Sequence, residues 1–355
     1  MVVMSYRESY ETGNSFRQEY LAGITGMLKN KQKEADEERR RFAGELAKNP
    51  EKYRKKLAHM LGWPLDERMK QIEGPGSISC EKQDTPSVKK YLVAQDGDVN
   101  IYRMQIEVMP DFWYYGILFL REDGKKHPLI IAQHGGDGTP ERCSTLLETG
   151  SGVYNDMSRR ILQYDANVFA PQMLLWDKNL YHITYNREHI DNMLRQCGGS
   201  ITALETYCLM RTVDYFETQE YVDAGRIGMV GLSYGGMYTM FMTALDKRVK
   251  AAISCSFFCE RYQEERSDWT YFNAGRTFQD AEIVMLARPR KIFLAMGERD
   301  KLFSADGSRR EFERIKEVFP DYKEWTDITI FSGKHEFIKE NGLLDRLFEE
   351  LSKAN

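Results

Sequence analysis

Cysteine is scarce and irregular in this chain: six residues, at 80, 143, 197, 208, 255 and 259 of 355, are too few and too unevenly spaced to staple a scaffold. No window approaches the run of about 18 apolar residues that a membrane-spanning helix needs. The opening residues, Met1 to Glu8, lack a basic leader followed by an apolar stretch, so no secretory signal is expected. An excess of one charge is missing too. Fifty basic against 54 acidic side chains give a formal charge of −4, which offers no general attraction to phosphate backbones or anionic membranes. Nucleic acid and membrane are therefore not expected partners, and the expected setting is reduced and cytoplasmic.

What is present is an ordinary globular composition, 42 % hydrophobic, 29 % charged and 12 % aromatic. A chain this long hides roughly 75 % of the surface its unfolded form exposes, so its core needs neither metal nor disulfide.

From Ser5 to Gly62 the sequence is charged and rich in helix formers, broken mainly at Asn49-Pro50, and two or three helices fit it. Leu57, Met60 and Leu61 make one apolar stripe. Lys31 to Arg41 sets glutamates ahead of arginines and suits a solvated helix with i,i+3 and i,i+4 pairs. Residues 1–75 are read as a helical extension and 76–355 as the main domain, with Gly74-Pro75-Gly76 as punctuation.

Beyond it, Val88 to Ala94, Ile101 to Met109 and Phe112 to Leu120 resemble successive antiparallel strands. Pro128 to Gln133 is a short apolar run expected of a strand covered on both faces. Strand and helix then alternate: strands at 166–170, 227–231, 251–254, 291–295 and 328–331, and helices at 201–217, 235–245, 308–318 and 343–351. Crossover helices join parallel strands, so the order implies one α/β sheet, mostly parallel, covered on both faces, with antiparallel strands at its N-terminal side.

Between the strand at 227–231 and the next helix stands Gly231-Leu232-Ser233-Tyr234-Gly235-Gly236, a G-x-S-x-G pattern in strand-to-helix context. It lacks both the Lys-Ser/Thr ending of a phosphate loop and the spacing of a dinucleotide site. A serine needs a base, and the base an acceptor. Among six histidines, His335 follows the strand ending at Phe331 and lies 102 residues beyond Ser233. Asp300 follows the strand at 291–295, which puts Ser, Asp and His in the chain order of such sites. Glu298, and more weakly Glu260, are alternatives to Asp300, which could instead cap the turn near Lys301.

His134-Gly135-Gly136-Asp137-Gly138 ends another strand, and main-chain N–H groups of Gly136 or Asp137, with that of Tyr234, could receive a developing oxyanion. His134 is expected to shape this loop. A pocket-lining insertion is expected at about 172–197, where Trp176 suits an apolar or sugar face and Arg187 an anionic group. His182 and His189 match no metal motif, so no metal is expected there. Cys255 and Cys259 are expected to be buried small hydrophobes, and Met237, Met240 and Met242 packing residues.

Gly231 to Gly236, Asp300, His335 and the His134 to Gly138 loop together resemble the α/β-hydrolase superfamily over about residues 85–352, in particular its dienelactone-hydrolase-like and acetyl-xylan-esterase-like branch. The chain is also similar to prolyl-oligopeptidase-type catalytic domains, but its N-terminal residues are too few and too helical for their propeller. The resemblance implies Ser233 as nucleophile, Asp300 as acid partner, His335 as general base and Tyr234 as an oxyanion donor, with no cofactor. It implies a serine carboxylesterase acting on a small-molecule ester, with acylated carbohydrates as the first substrate class. True dienelactone hydrolases carry Cys where this chain has Ser233. A peptide or amide hydrolase with the same triad, and a non-enzymatic binding protein on a hydrolase scaffold, remain open at this point. The sequence does not set the oligomeric state.

Overall fold

The computed structural model describes residues 5–70, 84–263 and 266–353. The boundary expected at 75/76, with Gly74-Pro75-Gly76, and Cys80 lie outside the described residues.

Three helices come first, α1 (Asn14–Lys48), α2 (Pro50–Leu61) and α3 (Leu65–Lys70). The break between the first two is a cap: Asn49 accepts a hydrogen bond from the Lys52 amide at 3.2 Å, and Pro50 occupies the first helical position, where its missing N–H costs nothing. The strands β1 (Val88–Asp96), β2 (Val99–Met109) and β3 (Phe112–Arg121) follow as an antiparallel meander. Then come β4 (His127–Gln133), α4 (Pro140–Cys143), α5 (Met157–Leu162), β5 (Asn167–Pro171), α6 (Lys178–Tyr181), α7 (Arg187–Gln196) and α8 (Ile201–Phe216). The remainder alternates strictly: β6 (Val222–Leu232), α9 (Tyr234–Leu245), β7 (Val249–Cys255), α10 (Asp280–Met285), β8 (Lys291–Gly297), α11 (Ala305–Val318), β9 (Thr326–Phe331) and α12 (Gly342–Lys353).

The nine strands form one sheet in the order β1-β2-β3-β5-β4-β6-β7-β8-β9. From β5 to β9 every pairing is parallel, while β3 meets β5 antiparallel. All seven residues of β4 are buried, as its unbroken apolar run requires. Edge strand β1 carries Lys89 and Lys90, which discourage pairing with another chain.

One apolar cluster covers the sheet face under α8 and α9 and takes in Leu46, Leu57 and Leu61 of the N-terminal helices; the other face packs against α5 and α12. α9 is buried along its whole length, which accounts for Met237, Met240 and Met242.

The reading of Lys31–Arg41 as a wholly solvated face needs correction. The Lys31–Glu34 pair is there, at 2.7 Å and exposed, but Arg39 is buried and bridges Glu282, at 2.7 Å, and Glu311. Both partners lie more than 240 residues away, so local spacing could not reveal them. Among the described residues no helix is long and apolar enough to cross a membrane.

Candidate active site

The parallel topology sets the residues that follow β4, β6, β8 and β9 at one end of the sheet, the carboxyl end where α/β proteins assemble their sites. Ser233 sits between β6 and α9 with φ 58° and ψ −124°, a backbone conformation that a side chain adopts only under local constraint. The constraint is the tight turn. A Cβ at Gly231 would lie 2.1 Å from the Gly235 carbonyl oxygen, and one at Gly235 would lie 2.2 Å from that of Gln133. Both positions of the motif therefore exclude any side chain. The Ser233 amide donates to the Cys255 carbonyl at 2.8 Å, tying the turn to β7.

His335 and Asp300 meet as the sequence order anticipates. His335 Nδ1 is 2.8 Å from Asp300 Oδ2, with the carboxylate side chain 0 % exposed and the imidazole 23 % exposed. Asp300 Oδ1 also accepts the amides of Leu302 and Phe303 at 2.8 and 3.1 Å, so the turn role and the imidazole role belong to one side chain. Glu298 is exposed, and Glu260 pairs with Arg310 at 2.7 Å.

The loop holding His335 is fixed from several sides. Phe337 donates its amide to Val153 at 2.8 Å, and Asn155 donates to the Phe337 carbonyl at 2.6 Å. Cys255, whose carbonyl holds the Ser233 amide, directs its thiol to the Glu336 carbonyl at 3.4 Å, so one residue of β7 touches the serine turn and the histidine loop. Among the described residues no hydrogen bond joins the Ser233 hydroxyl to the imidazole.

The glycine loop lies against the serine turn: a Cβ at Gly135 would stand 2.9 Å from that of Ser233, and one at Gly136 would stand 3.7 Å from the Tyr234 ring. The Gly135 amide donates to the Tyr154 hydroxyl at 3.0 Å. The amides of Gly136, Asp137 and Tyr234 have no hydrogen-bond acceptor among the described residues. His134 shapes this loop. Its Nε2 accepts the Met173 amide at 3.0 Å, and Nδ1 faces the Gly135 carbonyl at 2.8 Å, an arrangement that needs the proton on Nδ1. Complete burial lowers its pKa to about 4, so the ring is neutral.

Arg187 is half-buried in a polar network of the chain's own making. It donates to Glu205 at 2.9 and 3.1 Å, to Asp268 at 2.8 Å and to the Tyr238 hydroxyl at 2.9 Å. Asp268 also accepts the Tyr234 hydroxyl at 2.9 Å. The guanidinium thereby fastens α7 to α8, α9 and the segment after β7. Trp176 packs on Tyr185, with ring centroids 4.7 Å apart, and donates its indole N–H to the Ile183 carbonyl. It lines a cavity whose walls include neither Ser233 nor His335. His182 is exposed, and so is His189, whose amide is capped by Asn186. Cys255 and Cys259 are buried, and neither forms a disulfide among the described residues.

The wall beside the serine turn comes from residues the sequence reading passed over. Trp269, in the segment between β7 and α10, stacks edge-on with Tyr234 at 5.1 Å and packs on Phe303 at 5.5 Å. Phe303 in turn lies 5.7 Å from the His335 ring. Trp269 Nε1 is buried with no hydrogen-bond partner among the described residues. The sequence there is an aromatic-rich but strongly charged stretch between two strands, which carries no motif.

Residues 151–345 match the model of the dienelactone hydrolase family. Among curated proteins the chain is 28 % identical over 130 residues to YtaP of Bacillus subtilis strain 168, covering 34 % of this chain and 44 % of that one. An Escherichia coli protein from the traX-finO intergenic region is 29 % identical over 133 residues, 38 % of each chain. The matched stretch thus spans less than half the length of these curated relatives. Among solved structures, a glucuronoyl esterase from Solibacter usitatus superposes with TM-score 0.56 at 15 % identity, covering 79 % of this chain and 88 % of the other. Acetyl xylan esterase 1 from Thermoanaerobacterium sp. JW/SL YS485 superposes with TM-score 0.53 at 14 % identity, covering 86 % and 94 %. These likenesses show the α/β-hydrolase fold. With the family model matching more than half of its length, including Ser233, Asp300 and His335, the chain belongs to the dienelactone hydrolase family.

Proposed function

We propose that this protein is a serine-dependent carboxylic ester hydrolase working through an acyl-enzyme, with acylated carbohydrates as its substrate class. The observation that carries the reading is the Asp300–His335 pair at the same sheet end as a serine held at positive φ on a strand-to-helix turn. Family membership supports hydrolysis, and the names of the esterases sharing the fold support the carbohydrate side of the proposal.

In this reading the Asp300 carboxylate orients His335 through Nδ1–H, leaving Nε2 to take the proton from Ser233 as its hydroxyl attacks the ester carbonyl. Amides drawn from Tyr234, Gly136 and Asp137 receive the tetrahedral oxyanion. His335 then returns the proton to the departing alcohol. Water, activated by the same ring, releases the acid and restores the serine. Hydrogen bonds between nucleophile and base often tighten only when substrate is bound, so the reading does not require one in the resting site.

The test is covalent. A fluorophosphonate probe should label the wild type at Ser233, located by peptide mapping, and should leave Ser233→Ala unlabelled. Acetylated xylo-oligosaccharides should be cleaved faster than aryl amides at equal concentration. Labelling elsewhere, or cleavage of amides only, overturns the proposal.

A further inference from the structure

Helix α1 has 35 residues, about 50 Å of length, and packs on the rest of the chain through its second half. Ala35, Arg39, Ala43 and Leu46 are buried there, Arg39 bridges Glu282 and Glu311, and Arg276 reaches Glu38 at 2.6 Å. Residues 14–28 stand clear of this packing. Among the described residues their side-chain hydrogen bonds are local, from Arg17 to Asn14 and to the Tyr10 carbonyl, and from Thr25 to the Leu21 carbonyl. Apart from its own helix, a Cβ at Gly23 or at Gly26 would meet nothing within 4 Å among the described residues.

This free stretch is apolar along one face. Phe16, Tyr20, Ile24 and Leu28 recur at steps of four with Leu21 and Met27 beside them, so at 3.6 residues per turn the six fall within about 140° of the helix circumference. Gln18, Glu19, Lys29 and Lys33 occupy the opposite side. The apolar row runs on into Ala35, Arg39 and Leu46, the face by which α1 enters the core. The arm therefore continues a packing face beyond the end of what it packs on. Five of the six residues, all but Ile24, are between 51 and 74 % exposed. At about 200 Å² for a large side chain they leave about 600 Å² of one helix face in water, the upper end of what a monomer tolerates in a single patch. A helix of this length with two internal glycines is marginal in water unless its face is packed.

We propose that the N-terminal half of α1 is a dimerisation arm, its apolar face covered by the same face of a second copy of this chain lying antiparallel to it. Pairing two such faces covers about 1,200 Å², the lower edge of what a stable interface needs, and one self-complementary patch per chain closes as a two-fold dimer. Charge sets the direction. Glu8 and Glu11 precede the apolar row, while Lys29 and Lys33 follow it and have no carboxylate partner among the described residues. Setting Phe16 of one copy against Leu28 of the other places Tyr20 against Ile24 and brings Glu11 level with Lys33 of the second copy. A parallel pair would set the lysines of the two copies side by side, which like-charge repulsion disfavours. No residue of the arm belongs to the serine site, so the inference stands apart from the esterase reading.

The test is the mass of the full chain in solution. Sedimentation equilibrium at micromolar concentration should give two chains. Tyr20→Glu combined with Ile24→Glu sets four carboxylates into the paired faces and should weaken the dimer at least about a hundredfold. Tyr20→Ala with Ile24→Ala, which keeps helix propensity, should weaken it in the same direction, and an unchanged near-ultraviolet circular dichroism spectrum would show that the body stays folded in both. In an oxidised mixture of Phe16→Cys and Leu28→Cys chains, peptide mapping should find the disulfide joining position 16 of one variant to position 28 of the other. A wild type with the mass of one chain, or a two-chain mass indifferent to both double variants, overturns the proposal. So do 16–16 and 28–28 disulfides in its place, which would mean a parallel pair. A single-chain wild type that binds phosphatidylcholine–phosphatidylglycerol vesicles through Tyr20 and Ile24 would also overturn it, by giving the face to a membrane surface.

Discussion

Asp300 and His335 are joined at 2.8 Å through Oδ2 and Nδ1, and the second oxygen of the same carboxylate is held by the amides of Leu302 and Phe303. The acid is thus oriented by the backbone on one side while it orients the imidazole on the other. Its burial removes competing water, while the imidazole is partly exposed.

This double use separates two variants. Asp300→Asn keeps an oxygen for the turn amides but disturbs the imidazole tautomer, so kcat on an acetyl ester should fall about 10³- to 10⁴-fold with little change in melting temperature. Asp300→Ala should lose activity to a similar extent and also about 0.5–1.5 kcal/mol of stability, because the exposed Leu302 amide and the half-buried Phe303 amide lose their acceptor. Equal melting temperatures for the two variants would contradict the account.

Ser233 gives a stability prediction of opposite sign. Glycine adopts positive φ without side-chain conflict, so Ser233→Gly should abolish ester turnover while raising the unfolding free energy by about 1 kcal/mol. Denaturant titration of the two proteins measures it, and a less stable glycine variant would argue against strain at the turn.

His134 sets a pH dependence. Burial holds its folded pKa near 4, below the value of 6.5 it takes when exposed. Between these values the unfolded chain binds the proton and the folded chain does not. The contribution is complete above pH 6.5 and is lost as the pH falls toward 4, in all about 3 kcal/mol. The difference in unfolding free energy between the wild type and His134→Asn should narrow over that interval; a constant difference would disprove the assignment.

Arg39 tests whether the first helix belongs to the folded core. Arg39→Met leaves Glu282 and Glu311 buried without their cation and should cost about 3–5 kcal/mol. Burial already raises the pKa of Glu282, so protonation should recover part of that loss at low pH. A melting temperature equal to that of the wild type would show the bridge to be dispensable.

For Arg187 the network predicts a structural phenotype. Arg187→Met should lower the melting temperature and reduce turnover of neutral and anionic esters alike, since it leaves Glu205 and Asp268 unpaired. A rise in KM confined to anionic esters would instead give Arg187 the substrate contact expected from the sequence.

Legibility in the sequence followed the range of the interactions. Strands such as β4 and helices such as α9 were readable because their apolar patterns are local, and Asn49-Pro50 marked a helix start through its own side chain. Ser233 was readable because its strained turn demands small neighbours at fixed offsets. The roles of Trp269 and Phe303 were not, because a ring becomes a pocket wall only through the residues packed on it. Arg187 shows the same limit: a cation in an insertion reads alike whether it awaits a ligand or is held by Glu205 and Asp268.

The alternation of strand and helix, the serine turn and the order in which acid and base follow it are properties of short stretches and their succession, and the amino-acid order carries them. That Asp300 and not Glu298 meets His335, that Arg39 is buried while Arg40 and Arg41 are exposed, and that Trp176 lines a cavity apart from Ser233 are outcomes of long-range packing. The physical reason is that hydrogen bonds and burial between residues distant in sequence depend on how the sheet is ordered and covered, and no local spacing records that.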